Sequence, residues 1–451
     1  MRISINPYTG KRLFEFTPLT SEQLNKKISN ADHTYRTWKK TTFEHRAALI
    51  RNVAKILKDK KHKYATIITQ EMGKPISQAV AEIEKCAWVC EYYAENAAHQ
   101  LKDEIIETDA LKSYVRYEPL GGILAIMPWN YPFWQVFRFA VPNLMAGNVG
   151  LLKHASNVMK CGDSIDAIFL EAGFPKGCFQ NLVIDSEKVK SVIENDLVKA
   201  VTLTGSTPAG ASVASLAGMK IKKSVLELGG SNALVVFDDA DLEETVKTCV
   251  QARFQNTGQS CIAGKRLLLQ RGIAKDFTNR FILEVQKLKA GDPMDKNTYI
   301  GVLAREDLSK DLEALVDKSV KMGAKLIAGG HREKTFFEPT VLTGVTKEMP
   351  IFTEETFGPV IGITIFDDEQ SAVELSNASD FGLGASIFTS DMDRVERLVP
   401  QFDEGAVFVN ELVKSDPRLP FGGVKISGYG RELSYHGIKE FMNRKTVYIK
   451  K

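Results

Sequence analysis

The sequence predicts an α/β protein with two parallel-sheet units on either side of a cleft. Three observations lead there. The first hundred residues carry helical periodicity, strand-length apolar runs alternate with helical stretches from Gly121 onward, and a second alternating series begins after Glu227. At 451 residues the chain has room for two or three domains and a large core. Its 44% apolar and 25% charged residues are those of an ordinary globular protein.

Thr20 opens the first helix, with Gln23 three residues on as a capping box. A second helix runs from about Phe43, with Ala47, Ile50, Ala54 and Leu57 on one face, and its pattern ends at Gly73 and Pro75. A third covers residues 77–100. The first strand series is Gly122–Met127, Val149–Lys153, Asn181–Ile184, Ala200–Thr204 and Ser224–Leu228, with helices after Pro132, over 158–171 and after Ser206. Open sheets of this kind bind ligands at the carboxyl ends of their strands. The second series opens with a strand Leu234–Phe237 and a helix Ala240–Gln255, then strands near 325–328, 360–365, 385–389 and 406–410. Ser113–Glu118 and Val447–Ile449 stand outside both series. Such strands pair either between subunits or as an ordinary hairpin.

A formal net charge of +3 gives no reason to expect a nucleic acid or an anionic membrane as partner. The longest apolar stretch, 136–152, is interrupted by Arg138, Pro142 and Asn143, and Met1–Leu19 lacks the pattern of a signal peptide. The six cysteines show no framework spacing, which fits reduced thiols in a cytoplasm. Cys86 and Cys90 sit four apart in a helical pattern without His partners, so core packing is expected there and no metal site.

Cys261 ends a small, polar, glycine-containing run, Asn256-Thr257-Gly258-Gln259-Ser260, unlike the setting of a core cysteine. Thirty-four residues upstream, Glu227 lies among Leu226, Leu228, Gly229 and Gly230, where desolvation raises a carboxyl pKa toward base function. Its plain alternative is a salt-bridged strand end. A thiolate and a water-activating carboxylate are two parts of a covalent two-step oxidation. Asn130, in Pro128-Trp129-Asn130-Tyr131-Pro132, is either an oxyanion donor or a turn asparagine. Gly205 and Ser206 sit between a strand and a helix, where free N–H groups suit a phosphate. The G-x-G-x-x-G fingerprint is absent from the first series.

Together these segments resemble the aldehyde dehydrogenase superfamily. The resemblance rests on seven ordered motifs: Pro128-Trp129-Asn130, Lys153, Thr204-Gly205-Ser206, Glu227-Leu228-Gly229-Gly230, Gly258-Gln259-Ser260-Cys261, Glu354-Glu355-Thr356-Phe357-Gly358-Pro359 and Pro420-Phe421-Gly422-Gly423. It implies an aldehyde dehydrogenase-like fold. A Rossmann-like cofactor domain would cover residues 1–108 and 120–227, an α/β catalytic domain 228–438, and a small β oligomerisation arm 109–119 and 439–451, in a homodimer or homotetramer. It also implies roles. Cys261 would be the nucleophile, Glu227 the general base, and Asn130 the oxyanion donor together with the Cys261 N–H. Lys153, Ser156, Gly205, Ser206, Leu228, Glu355 and Phe357 would hold NAD or NADP. Trp129 is implied as a cofactor contact too, and with Phe421 it would line the aldehyde tunnel.

Two features refine the resemblance. Many NAD-preferring members carry an acid three residues after the ribose lysine; here Ser156 stands there and leaves NADP open. Arg138 and Ser415 match positions that hold the distal carboxylate in succinate-semialdehyde dehydrogenases, and His154-Ala155 and Gln255 are similar to the shorter bacterial branch of those enzymes. An arginine in the apolar helix after Pro132 needs an anionic partner, either the substrate or an acid of the chain itself. The expected activity is therefore NAD(P)-dependent oxidation of an aldehyde, succinate semialdehyde foremost, to the acid. A CoA-acylating dehydrogenase, a dehydrogenase of another small aldehyde, a cysteine hydrolase and a non-enzymatic protein on the same fold are the alternatives.

Overall fold

The computed structural model describes residues 1–451. Thr20 caps the helix Ser21–Trp38 and exchanges capping-box hydrogen bonds with Gln23, as the local sequence requires. The expected second helix is two helices, Phe43–Asp59 and Lys61–Met72, separated at Lys60. The break lets each half bury its own face, Ala47, Ile50 and Leu57 on the first and Tyr64, Ile68 and Met72 on the second. Gly73, in the left-handed region at φ 76°, ends the pair, and the long helix Ile76–Gln100 follows.

The first sheet has six strands in the spatial order Gly428–Tyr429, Lys223–Glu227, Val198–Thr204, Gly122–Met127, Val149–His154, Phe179–Asn181. All neighbours are parallel except Gly428–Tyr429, which runs antiparallel to Lys223–Glu227. The chain thus returns to the first sheet from within the 228–438 segment. The five parallel strands reverse their spatial order between Gly122–Met127 and Val198–Thr204. That switch point is where an open sheet leaves a crevice, and the residues that follow these two strands are Trp129-Asn130 and Gly205-Ser206. The strand expected over Asn181–Ile184 is displaced to Phe179–Asn181, a short edge strand that pairs only along Gly150–Leu152.

The second sheet has seven strands in the order Lys325–Ala328, Thr340–Thr343, Val360–Phe366, Gly264–Gln270, Asn232–Val236, Ala385–Phe388, Val407–Val409. Separate apolar clusters cover its two faces, one containing Val235 and Phe352, the other Leu234 and Phe277. Two of its strands were not expected. Gly264–Gln270 carries Lys265 and Arg266 in its first three residues, and their charges disguise a central strand. Both are buried, and Arg266 donates to the carbonyls of Ser231, Leu375 and Ser376. Thr340–Thr343 is short and follows a two-strand hairpin.

Lys112–Pro119 and Met442–Ile449, the detached segments, pair with each other in antiparallel register from Pro119↔Met442 to Lys112↔Ile449. Glu104–Ile105 completes a three-stranded sheet, leaving the outer edge of Met442–Ile449 without a strand partner in the chain. No helix is long and apolar enough to cross a membrane.

Candidate active site

Cys261 is half-buried, whereas the other five cysteines are fully buried. The loop that presents it is strained. Asn256 and Thr257 both have φ 55°, and Gly258 continues in the left-handed region at φ 72°. A β-branched residue there is a genuine outlier, and such strain persists only where the surroundings impose it. They do. Thr257 Oγ1 accepts from the Gly301 N–H at 3.0 Å, the Gln259 side chain accepts from the Ala304 N–H at 2.9 Å, and buried Arg253 donates to the Gly258 carbonyl at 2.8 Å. Arg253 also reaches the carbonyls of Thr356 and Gly358, so one guanidinium ties the Cys261 loop to the Glu355–Phe357 segment. A Cβ on Gly258 would collide with the Gly358 carbonyl and with Arg253 itself.

Asn130 is buried behind the same loop. Its Nδ2 donates to the Gln259 carbonyl at 3.2 Å, which fixes the amide and leaves its second N–H for another acceptor. The Cys261 N–H has no partner within the chain either. The turn carrying Asn130 is held from two sides. Glu82 accepts from the N–H groups of Phe133 and Trp134 at 2.9 and 3.0 Å and pairs with Lys74. His154 lies 2.9 Å from the Pro132 carbonyl, while its Nδ1 accepts from the Ala155 N–H. Burial pushes the His154 pKa down to about 4, so the ring is neutral and donates from Nε2.

Glu227 ends its strand with a side chain only 2% exposed, and neither carboxylate oxygen has a hydrogen-bond partner. Burial pushes its pKa well above the usual carboxylate range. Glu432 and Glu440 add to the shift, and Arg138 and Arg431 oppose it. A buried acid with no ion pair or hydrogen-bond partner in the chain is not the salt-bridged strand end of the plain alternative.

Arg138 has its anionic partner inside the chain. It pairs with buried Glu432, lies 4.5 Å from the centre of the Phe421 ring, and stands 3.4 Å from Thr204 Oγ1. It also lines a cavity of about 710 Å³ shared with Cys261, Tyr131, Trp134, Ser415 and Phe421. Removing one member of a buried ion pair costs about 3–5 kcal/mol. Arg138→Leu should therefore lower the thermal unfolding midpoint, leaving Glu432 unpaired near Glu227. Loss of turnover with an unchanged midpoint would contradict the pair's structural weight.

On the far side of Cys261, Glu355 accepts from the Gly230 N–H at 3.0 Å and from Lys265 Nζ at 2.6 Å. Phe357 meets Trp129 edge to face at 5.6 Å. Lys153 is the next-to-last residue of the strand Val149–His154, and Ser156 is exposed in the turn that follows. Ser206 caps the helix Thr207–Met219 in position but makes no side-chain cap bond, so its hydroxyl and the first helical N–H groups stay free. Leu228 is buried against Gly210, where a Cβ would lie 2.6 Å from it.

The aldehyde dehydrogenase family profile matches residues 2–447. The chain belongs to the aldehyde dehydrogenase family. It is 47% identical to the "Probable succinate-semialdehyde dehydrogenase [NADP(+)]" of Synechocystis over 99% of both chains. It is 45% identical to the succinate semialdehyde dehydrogenase [NAD(P)+] Sad of Escherichia coli, over 99% of this chain and 97% of that one. Among solved structures, the succinic semialdehyde dehydrogenase of Streptococcus pyogenes in complex with NADP+ superposes with a TM-score of 0.98 at 37% identity over the full length of both.

Four residues of the candidate site are not marked by the local sequence. Glu432 was signalled only indirectly, by the need of Arg138 for an acid. Arg253, Lys265 and Lys85 lie on elements whose charges resemble a solvated face, and only the fold shows that they turn inward.

Proposed function

We propose that this aldehyde dehydrogenase oxidises succinate semialdehyde to the acid with NADP or NAD. The observation that carries the reading is the shared cavity, which the half-buried Cys261 thiol lines together with Lys85, Arg138 and Ser415. A substrate with an aldehyde at one end and a carboxylate at the other suits a cavity that holds both a thiol and cations, and the named activities of the relatives agree with it.

The crevice at the strand switch point fits a dinucleotide: Ser206 and the helix start for the pyrophosphate, Lys153 and Ser156 for the adenosine ribose, Glu355 for the nicotinamide ribose, with Phe357, Trp129 and Leu228 closing it. When bound, the nicotinamide supplies the hydride acceptor that turns a thiohemiacetal into a thioester. The remaining chemistry belongs to the chain. The Cys261 thiol gives up its proton to solvent, its sulfur bonds to the aldehyde carbon as the carbonyl π pair moves to oxygen, and the developing oxyanion is met by the free N–H of Asn130 and by the Cys261 N–H. Glu227, in its ionised form, then takes a proton from water, whose oxygen adds to the thioester carbonyl, and the C–S bond breaks. The acid leaves and the thiolate returns.

Steady-state kinetics with succinate semialdehyde and butanal, each with NADP and NAD, test the reading. A preference for succinate semialdehyde in kcat/KM is expected; equal values for both aldehydes would overturn the substrate. The cofactor side has its own prediction. An acid at position 156 would face the 2′-phosphate of NADP, so Ser156→Glu should lower the NADP-to-NAD ratio of kcat/KM by about tenfold, the equivalent of about 1.4 kcal/mol. An unchanged ratio would remove Ser156 from the ribose site. We also assign the three-stranded sheet to assembly, its free Met442–Ile449 edge pairing with another copy; a monomer in sedimentation would refute this.

A further inference from the structure

Four cations line the 710 Å³ cavity, and three of them are already matched. Lys74 pairs with Glu82, Arg138 with Glu432, and Lys414 with Glu411 at 2.6 Å. Lys85, on the helix Ile76–Gln100, forms no ion pair with any carboxylate of the chain. Its Nζ donates to Ser415 Oγ at 2.9 Å and lies 4.3 Å from the centre of the Trp134 ring. Trp134 Nε1 donates to the same Ser415 Oγ, also at 2.9 Å. Two donors occupy both lone pairs of that hydroxyl, so its own hydrogen must point elsewhere, and an ammonium has two further N–H groups to place. The cluster is therefore made of donors with no acceptor left among them. Such a group is complete only with an anion.

We propose that Lys85 is the specificity-determining residue that binds the carboxylate end of the substrate, with the Ser415 hydroxyl as its second donor. This rests on the reading of the substrate as a carboxylated aldehyde. It moves the main recognition charge from Arg138, which is spent on Glu432, to a lysine that nothing else neutralises. Burial pushes the Lys85 pKa down to about 8, with Arg138 adding to the shift and Cys86, Glu82 and Asp416 opposing it. An incoming carboxylate would relieve that cost.

The test measures kcat and KM of the full-length enzyme, Lys85→Met and Lys85→Arg for succinate semialdehyde and for butanal with NADP, alongside thermal midpoints. Lys85→Met is expected to lower the ratio of kcat/KM for succinate semialdehyde to that for butanal by about thirtyfold or more, chiefly through KM, and Lys85→Arg to restore much of it. If the methionine variant does not fold, Lys85→Gln takes its place. A wild-type enzyme that treats the two aldehydes alike overturns the substrate reading and this inference together. A wild-type preference that survives in Lys85→Met, or equal losses on both aldehydes, overturns this inference alone.

Discussion

Cys261→Ala should lower kcat by at least about four orders of magnitude under saturating aldehyde, followed as cofactor reduction. No other thiol can substitute, because the remaining five are buried. The environment of Cys261 also predicts how it reacts. Burial pushes its pKa up to about 11, Arg138 and Lys265 pull it back, and Glu355 and Glu227 raise it further. A raised thiol pKa leaves the free enzyme protonated at neutral pH, so its thiolate fraction grows with pH throughout the alkaline range. Labelling by iodoacetamide should rise about tenfold per pH unit between about pH 7 and 10 and stop at one equivalent. A rate flat across that interval would mean that a neighbouring group already holds the proton.

What the sequence revealed and what it hid have separate physical causes. Strands with near-continuous apolar runs, such as Gly122–Met127 and Val198–Thr204, and the capped helix after Thr20 declare themselves because a few adjacent residues decide them. Cys261, Glu227 and Asn130 were visible because each is out of place locally: a thiol after polar residues, an acid among leucines and glycines, an amide between prolines. The Gly264–Gln270 strand, the Arg253 staple and Lys85 were hidden because their charges are matched by, or left unmatched by, residues far along the chain. Periodicity says which face is apolar. It does not say that a charged face will turn inward to meet carbonyls from another strand. Arg138 lies between these cases: its need for an acid was legible, but the choice of Glu432 depended on the return of the chain to the first sheet.

Glu227→Gln should separate the two halves of the reaction. Glutamine keeps the volume of the side chain and cannot accept a proton from water, so acylation should survive while thioester hydrolysis slows by about 10²–10⁴-fold. Rapid mixing should then show a burst of about one equivalent of reduced cofactor followed by a slow steady rate; an unaltered steady rate would remove Glu227 from deacylation. The same substitution makes an opposite prediction for stability. The folded carboxyl pKa is raised by burial, and its two oxygens are unpartnered. Below the unfolded carboxylate pKa both states are protonated and there is no penalty. As pH rises toward the folded pKa the unfolded state ionises first, so the wild-type chain loses stability across that window. Glutamine cannot ionise and escapes the loss. The thermal midpoint of Glu227→Gln should therefore exceed that of the wild type at pH 8 and approach it near pH 5. Catalysis and stability are then expected to pull in opposite directions at one buried oxygen pair, as the proposed water-activating role predicts. A variant less stable than wild type at pH 8 would mean that the carboxylate is held by favourable contacts, and its assignment as a buried, unpaired base would fall.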